Sequence, residues 1–441
     1  MLPELITPIP GPRSRALAEK LRRHESRNVT YLAEDFPVFW QRAAGTNVWD
    51  ADGNRFIDLT SAFGVCGLGH TNEDIRTALV AQSAEQMHAM GDVHPTEVKA
   101  ELCARLSAMT YERWGAGDAK TVLSSSGSEA VETALKTALL RTGKPGVIAF
   151  EGGYHGLGFG ALSAIGLPFF REPFRAQLKD FATLLPYPAG SGADLAPLRR
   201  QIEETIRGGG IGAVLVEPVQ GRGGCVVPPR AFLRMLREVC DAHDVLLIAD
   251  EIYTGFHRTG SLFACDHSAV VPDLLCLGKA LTGGFPLSAC VGLAEVMDAW
   301  PLSSGEALHT STFLGNPLGC AMALASLKQH ADPALAPLVQ ERGAKLKGAL
   351  QALHSPHIGE IRGLGLMLGV ELVEPSTSAP ATRLSIAIIK HALRDGLLLL
   401  ADSPTGNVLS FTPPFTISDD EIAFVASRLQ EYLMLLPGSI S

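Results

Sequence analysis

Short apolar runs alternate with longer amphipathic stretches through the middle of this chain. Residues 147–150, 213–216, 245–249, 274–277 and 289–293 form runs of aliphatic, cysteine, phenylalanine or glycine positions. Their length and lack of polar alternation suit strands covered on both faces. Between some of them, residues 194–207 and 230–243 carry apolar positions at helical spacing. This rhythm predicts an α/β protein with a mostly parallel sheet and helices on both of its faces. Such sheets bind ligands beyond the carboxyl ends of their strands. Glu217, Asp250 and Lys279 all fall at or just past such ends.

The pattern changes toward the C-terminus. Residues 359–372 read as strand, 381–395 as helix, and 397–401 and 407–411 as strands again. Ser418-Asp-Asp-Glu421 is a capping box opening a final helix. Near the N-terminus, residues 48–58 read as a hairpin turning at Asp52-Gly53, able to join the C-terminal unit. The expected organisation is an N-terminal segment over 1–70 contributing to a small domain, a large α/β domain over 71–325, and a small α+β domain over 326–441.

Composition narrows the function classes. The 441 residues are 46% hydrophobic, enough for a sizeable core and more than one folded unit. The net charge of −9, without any run of basic residues, argues against nucleic acid as a partner. No apolar stretch is long enough to span a bilayer, and the N-terminus lacks the pattern of a signal peptide. The eight cysteines include no C-x-x-C pair, so the reading is free thiols in the cytoplasm, with neither a disulfide framework nor a metal site.

The chemistry-bearing segments sit at the predicted strand ends. In Thr121-Val-Leu-Ser-Ser-Ser-Gly-Ser-Glu129, Ser126 and Glu129 have capping-box spacing. After them, Ala130, Val131, Ala134, Leu135, Ala138 and Leu139 define one helix face. Gly127 and Ser128 then lie in a first turn whose N–H groups are open to a phosphate, or simply cap the helix. Tyr154 and His155 follow the 147–150 run in a glycine-rich loop, where the tyrosine is either a ring-stacking residue or a surface aromatic. Asp250 and Glu251 close one apolar run, and Lys279 follows another through Gly278. A lysine and an aspartate so placed suit a Schiff-base enzyme using pyridoxal 5'-phosphate (PLP): the amine holds the aldehyde and the carboxylate faces the pyridinium nitrogen. At a separation of about 4 Å and an effective dielectric near 20, such a carboxylate contributes roughly 4 kcal/mol toward keeping that nitrogen protonated. Gly208-Gly-Gly-Ile-Gly212 precedes a strand rather than following one, the wrong order for a dinucleotide fingerprint.

Together these segments resemble the class III (omega-) PLP-dependent aminotransferases. The resemblance runs from Asp50-Ala-Asp-Gly-Asn-Arg-Phe-Ile-Asp58 and Leu68-Gly-His70, through Asp250-Glu-Ile-Tyr-Thr-Gly-Phe-His-Arg-Thr-Gly260 and Lys279, to Ser311-Thr-Phe-Leu-Gly-Asn-Pro317 and Pro413-Pro414. It implies PLP-dependent transferase fold type I, with a seven-stranded sheet. Lys279 is then the Schiff-base lysine and Asp250 the pyridinium partner, the two catalytic residues. Gly127 and Ser128 face the phosphate, with Ser126 beside them as a cofactor-binding residue, and Tyr154 and Ile252 lie on opposite faces of the ring. His155, Glu217 and Tyr253 complete the cofactor surroundings, and Glu251 is a structural acid beside them. Thr312 reaches the phosphate of a neighbouring subunit, which implies a homodimer.

Three positions depart from the family pattern. Tyr253 stands where many members have a cofactor-contacting glutamine. Leu157 and Ser410 stand where various members carry arginines for substrate carboxylates. The expected reaction is ping-pong transfer of an amino group from a primary amine or a β- or ω-amino acid to a keto acid such as pyruvate. Ornithine, acetylornithine and 2-oxoglutarate are expected to be poor substrates. Arg222, in Gln220-Gly-Arg-Gly-Gly224, is either a substitute carboxylate binder or an ordinary loop arginine. A racemase, epimerase or aminomutase on the same scaffold uses the same lysine–aspartate pair, and a PLP-binding protein without turnover is the rival of another class.

Overall fold

The computed structural model describes residues 1–435; residues 436–441, which end the expected C-terminal domain, lie outside the described residues. The chain divides into two compact units, Glu73–Pro337 and a second made of Met1–Asn72 with Leu338–Ser441.

The Glu73–Pro337 unit is built on a seven-stranded sheet. In chain order its strands are β1 (Ala119–Ser124), β2 (Gly146–Phe150), β3 (Ala182–Leu185), β4 (Ile211–Val216), β5 (Leu246–Asp250), β6 (Leu274–Leu277) and β7 (Ser288–Leu293). Their order across the sheet is β1-β7-β6-β5-β4-β2-β3. All neighbours pair in parallel except β7, which runs antiparallel to both β1 and β6. Apart from Asp250 at the end of β5 and Ser288 at the start of β7, the central strands are apolar because both faces are covered. On β5, Leu247 and Ala249 join one core cluster while Leu246 and Ile248 join the other. The alternation of side chains across a strand thus feeds two cores from one run.

The five apolar runs match β2, β4, β5, β6 and β7 to within two residues. The remaining strands, β1 and β3, are the sheet's edges. They escape the sequence reading because edge strands are covered less completely: of β1 only Leu123 and Ser124 are buried, and of β3 only Leu185. One helix face also differs from expectation. On Gly127–Thr142 the buried side includes Thr133 and Thr137, whereas Leu139 and Leu140 are exposed. The threonine hydroxyls bond back to the carbonyls of Glu129 and Thr133 at 2.9 and 2.8 Å, so they enter the core already satisfied.

In the other unit, the 48–58 hairpin consists of Asn47–Asp50 and Arg55–Asp58 in antiparallel register. Arg55–Asp58 also pairs in parallel with Leu397–Leu398. The 397–401 stretch is two strands rather than one. After Leu398 the chain leaves the first sheet, and Leu400–Asp402 pairs with Val408–Phe411 in another. The 359–372 stretch likewise folds back on itself as Ile358–Leu364 and Met367–Leu372. The capping box forms in full: Ser418 N–H donates to Glu421 at 2.8 Å and Glu421 N–H to Ser418 Oγ at 3.2 Å. It opens the helix Asp419–Leu435.

Candidate active site

Six of the seven strands point the same way, so β1, β2, β4, β5 and β6 end along one rim, and the antiparallel β7 begins there. The helix Gly127–Thr142 starts just beyond β1, with Ser126 as its N-cap. Ser126 Oγ accepts the N–H of Glu129 at 3.3 Å, while the Glu129 carboxylate reaches back to Ser125 N–H at 2.7 Å. The box is therefore displaced by one residue from the expected Ser126–Glu129 reciprocity. Ser288, first residue of β7, donates to the Ser126 carbonyl at 2.6 Å and fixes the helix start to the sheet. The first N–H groups of a helix have no partner within it, so Gly127 and Ser128 offer donors and the positive end of the helix dipole to an anion.

Ile252 joins that helix start to the strand ends. A side chain at Gly127 would come within 2.9 Å of Ile252 Cδ1, and one at Gly278 within 3.3 Å of Ile252 Cγ2. Residues immediately beyond β1, β5 and β6 thus converge on one isoleucine. Lys279, which follows Gly278, takes a positive φ of 43° and is half-buried. Its Nζ lies 4.2 Å from the centre of the Tyr253 ring. The same tyrosine ring rests on Gly221, leaving no room there for a larger residue.

Asp250 ends β5 and is buried. Its Oδ2 pairs with His155 Nδ1 at 2.8 Å, and its Oδ1 accepts Ile252 N–H at 3.1 Å. Burial pulls the His155 imidazole down, but Asp250, helped by Glu217, raises it above its ordinary value. Glu217 accepts the N–H groups of Tyr154 at 2.8 Å and Gly221 at 3.1 Å. Its carboxyl is pushed up to about 7, first by burial and then by Asp250, against the lowering effect of His155. Glu251 is turned away from this cluster. It accepts N–H groups from Ala264 and Cys265 at 2.9 and 2.7 Å and the Thr254 hydroxyl, tying the chain after β5 to a following turn.

Tyr154 is half-buried and packs edge-on against Phe170, with ring centres 5.3 Å apart. Ser128 Oγ accepts Gly158 N–H at 2.9 Å, holding the loop after His155 against the helix start. Ser126, Gly127, Ser128, Tyr154, His155, Glu217, Asp250, Ile252, Tyr253 and Lys279 are therefore linked through a continuous set of contacts. Thr312 belongs to a different setting. It is exposed, in a stretch fastened at one end by His309 to Thr133 at 3.1 Å and at the other by Asn316 capping Leu318 at 2.9 Å.

Two contributors were missed in the sequence. One is Ser288. The other is Gln220, buried, whose amide donates to the Glu151 carbonyl at 2.7 Å and whose side chain fills the space left by Gly152 and Gly223. The glycines that follow Gln220, at 221, 223 and 224, were the available signal, since glycine marks places where another group comes close. Among the described residues, no group of histidine, cysteine, aspartate and glutamate is arranged to hold a metal ion, and no helix is long and apolar enough to cross a membrane.

A helix N-terminus for a phosphate, a buried carboxylate with unused acceptor capacity, and a lysine amine meeting at the carboxyl ends of a mostly parallel sheet fit PLP. They define a PLP-dependent transferase of fold type I. The chain belongs to the class-III aminotransferases, whose family model matches residues 30–433. It is similar to the 4-aminobutyrate aminotransferase of Mycobacterium leprae, 37% identical over 435 residues that cover 95% of each chain. It is also similar to the acetylornithine aminotransferase of Methanopyrus kandleri, 37% identical over 398 residues, 90% of this chain and 95% of that one. Among solved structures it resembles an amine transaminase from an uncultivated Pseudomonas species in its PLP-bound form. There the TM-score is 0.85 at 32% identity, covering 93% of this chain and 98% of that one. These relatives are named for different substrates at similar identity, so overall likeness does not select the donor.

Proposed function

We propose that the protein transfers the amino group of a primary amine or a β- or ω-amino acid to a keto acid such as pyruvate, in a ping-pong sequence centred on Lys279. The observation that carries this reading is the convergence on Ile252, which joins the helix start at Gly127 to the ends of the strands bearing Asp250 and Lys279. When bound, PLP supplies an aldehyde to which an amine can be joined and a ring that takes up the electrons of a broken C–H bond.

The chain's own residues do the rest. Ser126, Gly127 and Ser128 hold the phosphate at the helix N-terminus. Asp250, backed by His155, presents negative charge to the ring nitrogen. Tyr154 and Ile252 enclose the ring, and Glu217 fixes Tyr154 through its backbone N–H. Lys279 Nζ would hold the aldehyde and, once the donor's amine has taken its place there, would be free to take the proton from the donor's amine-bearing carbon and later to return one to the keto acid's carbon. Tyr253 keeps the amine beside an aromatic face. Thr312 serves the phosphate of a neighbouring subunit in a homodimer. Supporting this, Met87, Met90, Val93, Leu308 and Phe313 of the large unit are exposed, apolar side chains that a neighbouring subunit would cover. The free thiols support a cytoplasmic location.

With leucine at 157 and serine at 410, where various members carry arginines for substrate carboxylates, ornithine, acetylornithine and 2-oxoglutarate are poor substrates. Incubating the holoenzyme with one donor and no acceptor tests the reading by its visible spectrum. Conversion to the pyridoxamine form is expected, and Lys279→Ala should slow it by roughly 10⁴-fold. Deuterium entering the donor carbon without that conversion would overturn transamination of that donor. A low KM for 2-oxoglutarate would overturn the acceptor assignment.

A further inference from the structure

The stretch that carries Thr312 is tied to the same helix that opens the phosphate site. The helix Gly127–Thr142 buries Thr133 and Thr137, whose hydroxyls donate to the carbonyls of Glu129 and Thr133. With those protons committed, each hydroxyl can only accept from outside the helix. Trp300 Nε1 donates to Thr137 Oγ1 at 2.9 Å. His309 Nε2 lies 3.1 Å from Thr133 Oγ1. Nε2 therefore carries the imidazole proton, and Nδ1 is the acceptor. Lys136 Nζ donates to that Nδ1 at 3.1 Å. Burial first, then Lys136, hold the imidazole below its ordinary value, against Glu129 and Glu132. The neutral ring thus uses both of its nitrogens on this one helix.

Beyond His309 the chain is fastened to a second stretch. Thr310 donates to Asp92 at 2.7 Å, and the Asn316 amide donates to the Met87 carbonyl at 3.3 Å. Gly91 packs against the Leu314 carbonyl with no room for a side chain between them. Thr312 stands exposed between these ties, three residues from His309. Gly127 and Thr133 are six residues apart on their helix, roughly 9 Å along its axis. One rigid element therefore offers N–H groups to an anion at its first turn and seats the Thr312 stretch within two turns of it.

We propose that His309 is a positioning residue. It seats the Thr312 stretch of one subunit on that subunit's phosphate helix, and thereby sets how firmly the neighbouring subunit retains PLP. This rests on the homodimer and the role of Thr312 proposed above, and it links the two cofactor sites. Each helix holds one phosphate directly and steadies the residue offered to the other.

Heterodimers separate the two sites. One subunit carries Lys279→Ala, so only the other shows the absorbance of lysine-bound cofactor. The apparent PLP affinity of that site is read from the holoenzyme dialysed against falling PLP. With His309→Leu on the Lys279→Ala subunit, the affinity should fall roughly tenfold, as for the loss of one hydrogen bond. With His309→Leu on the subunit that keeps Lys279, it should stay within about twofold. His309→Gln in the first arrangement should recover most of the affinity, because its amide can donate to Thr133 and accept from Lys136. Lys136→Met, an exposed substitution that leaves the core intact, should lose about threefold in the first arrangement only. Equal losses in both arrangements, or a loss confined to the second, would overturn the inference and make His309 a support for its own subunit's helix. Unchanged affinity in the first arrangement would overturn it as well. Thr312→Ala in the first arrangement separates the two claims. If it lowers the affinity while His309→Leu and Lys136→Met do not, the shared site stands and the role of His309 falls. If Thr312→Ala changes nothing there, or the protein is monomeric by light scattering, the shared site and the inference fall together.

Discussion

Each unit contains a buried histidine–aspartate pair, and the two pairs have different tasks. In the small unit, Asp58 meets His70 at 2.7 Å, the N–H and hydroxyl of Thr60 at 2.8 and 2.6 Å, and Ala62 N–H at 3.1 Å. In the large unit, Asp250 meets His155 at 2.8 Å and Ile252 N–H at 3.1 Å. A carboxylate can accept about four hydrogen bonds. Asp58 is therefore filled by its own chain, whereas Asp250 retains capacity for a further donor. Buried polar groups generally find partners, so the incompletely filled aspartate marks where a ligand completes the network. The same pair of side chains is a brace in one place and half of a binding site in the other.

Replacing each aspartate by asparagine separates the two roles and should give the largest effects. Asp250→Asn keeps the shape and removes the charge. It is expected to lower kcat/KM about a thousandfold, the scale set by a carboxylate beside a pyridinium, with little change in folding stability. Asp58→Asn turns an acceptor-only group into one that must also donate, among N–H groups that need acceptors. It should cost roughly 3 kcal/mol of stability while leaving kcat of the folded protein near wild type. Chemical denaturation and steady-state rates on both variants check this. If Asp58→Asn lowered kcat as far as Asp250→Asn, the distinction between brace and site would fail.

The contrast was only half legible in the sequence. Asp250 and Lys279 stand out because each ends or follows an apolar strand, and strand ends are where α/β sheets place chemistry. Ser126 announces its helix through capping spacing, although the glutamate reaches Ser125 instead. The partnership of His155 with Asp250 spans 95 positions and depends on which strands lie side by side, information that local periodicity does not contain. The turn beside Asp58 was hidden for another reason. Ser61, Ala62 and Phe63 take φ values of 47°, 50° and 64°, a left-handed conformation that local preference assigns to glycine. Tertiary bonds, including Ser61 Oγ to the Thr412 carbonyl at 2.6 Å, impose it from outside the segment.

A second, smaller effect follows from titration. Burial lowers the His70 imidazole, but Asp58, with Cys66, more than reverses this and raises it to about 9. A raised folded-state value stabilises at pH below the unfolded value near 6.5, and that stabilisation is lost as pH rises to about 9. The full loss amounts to about 3 kcal/mol at most. The Glu217 carboxyl, pushed up to about 7, moves stability the same way in an earlier window, between the unfolded value of about 4.5 and 7. Thermal midpoints of the holoenzyme across pH 5 to 9.5 should therefore decline in two stages. Asp58→Asn should flatten the later stage and Glu217→Gln the earlier one. A later stage that persists in Asp58→Asn would show that His70 does not depend on that partner.

The smallest expected effect concerns what the Asp58 brace is for. Its carboxylate, Thr60 and Ala62 lie around a turn whose non-glycine residues sit in left-handed geometry, at a cost of roughly 1–2 kcal/mol each. Ala62→Gly should relieve that strain. Glycine also gives the unfolded chain more freedom, so the net gain is only about 0.5 kcal/mol. The informative measurement is the double variant with Asp58→Asn. If the brace acts by holding the turn, glycine at 62 should recover more stability in the Asp58→Asn background than in wild type, with a coupling of roughly 0.5–1 kcal/mol by denaturation. Strict additivity would instead mean that Asp58 serves His70 alone and that the turn is held by Ser61 and Thr412.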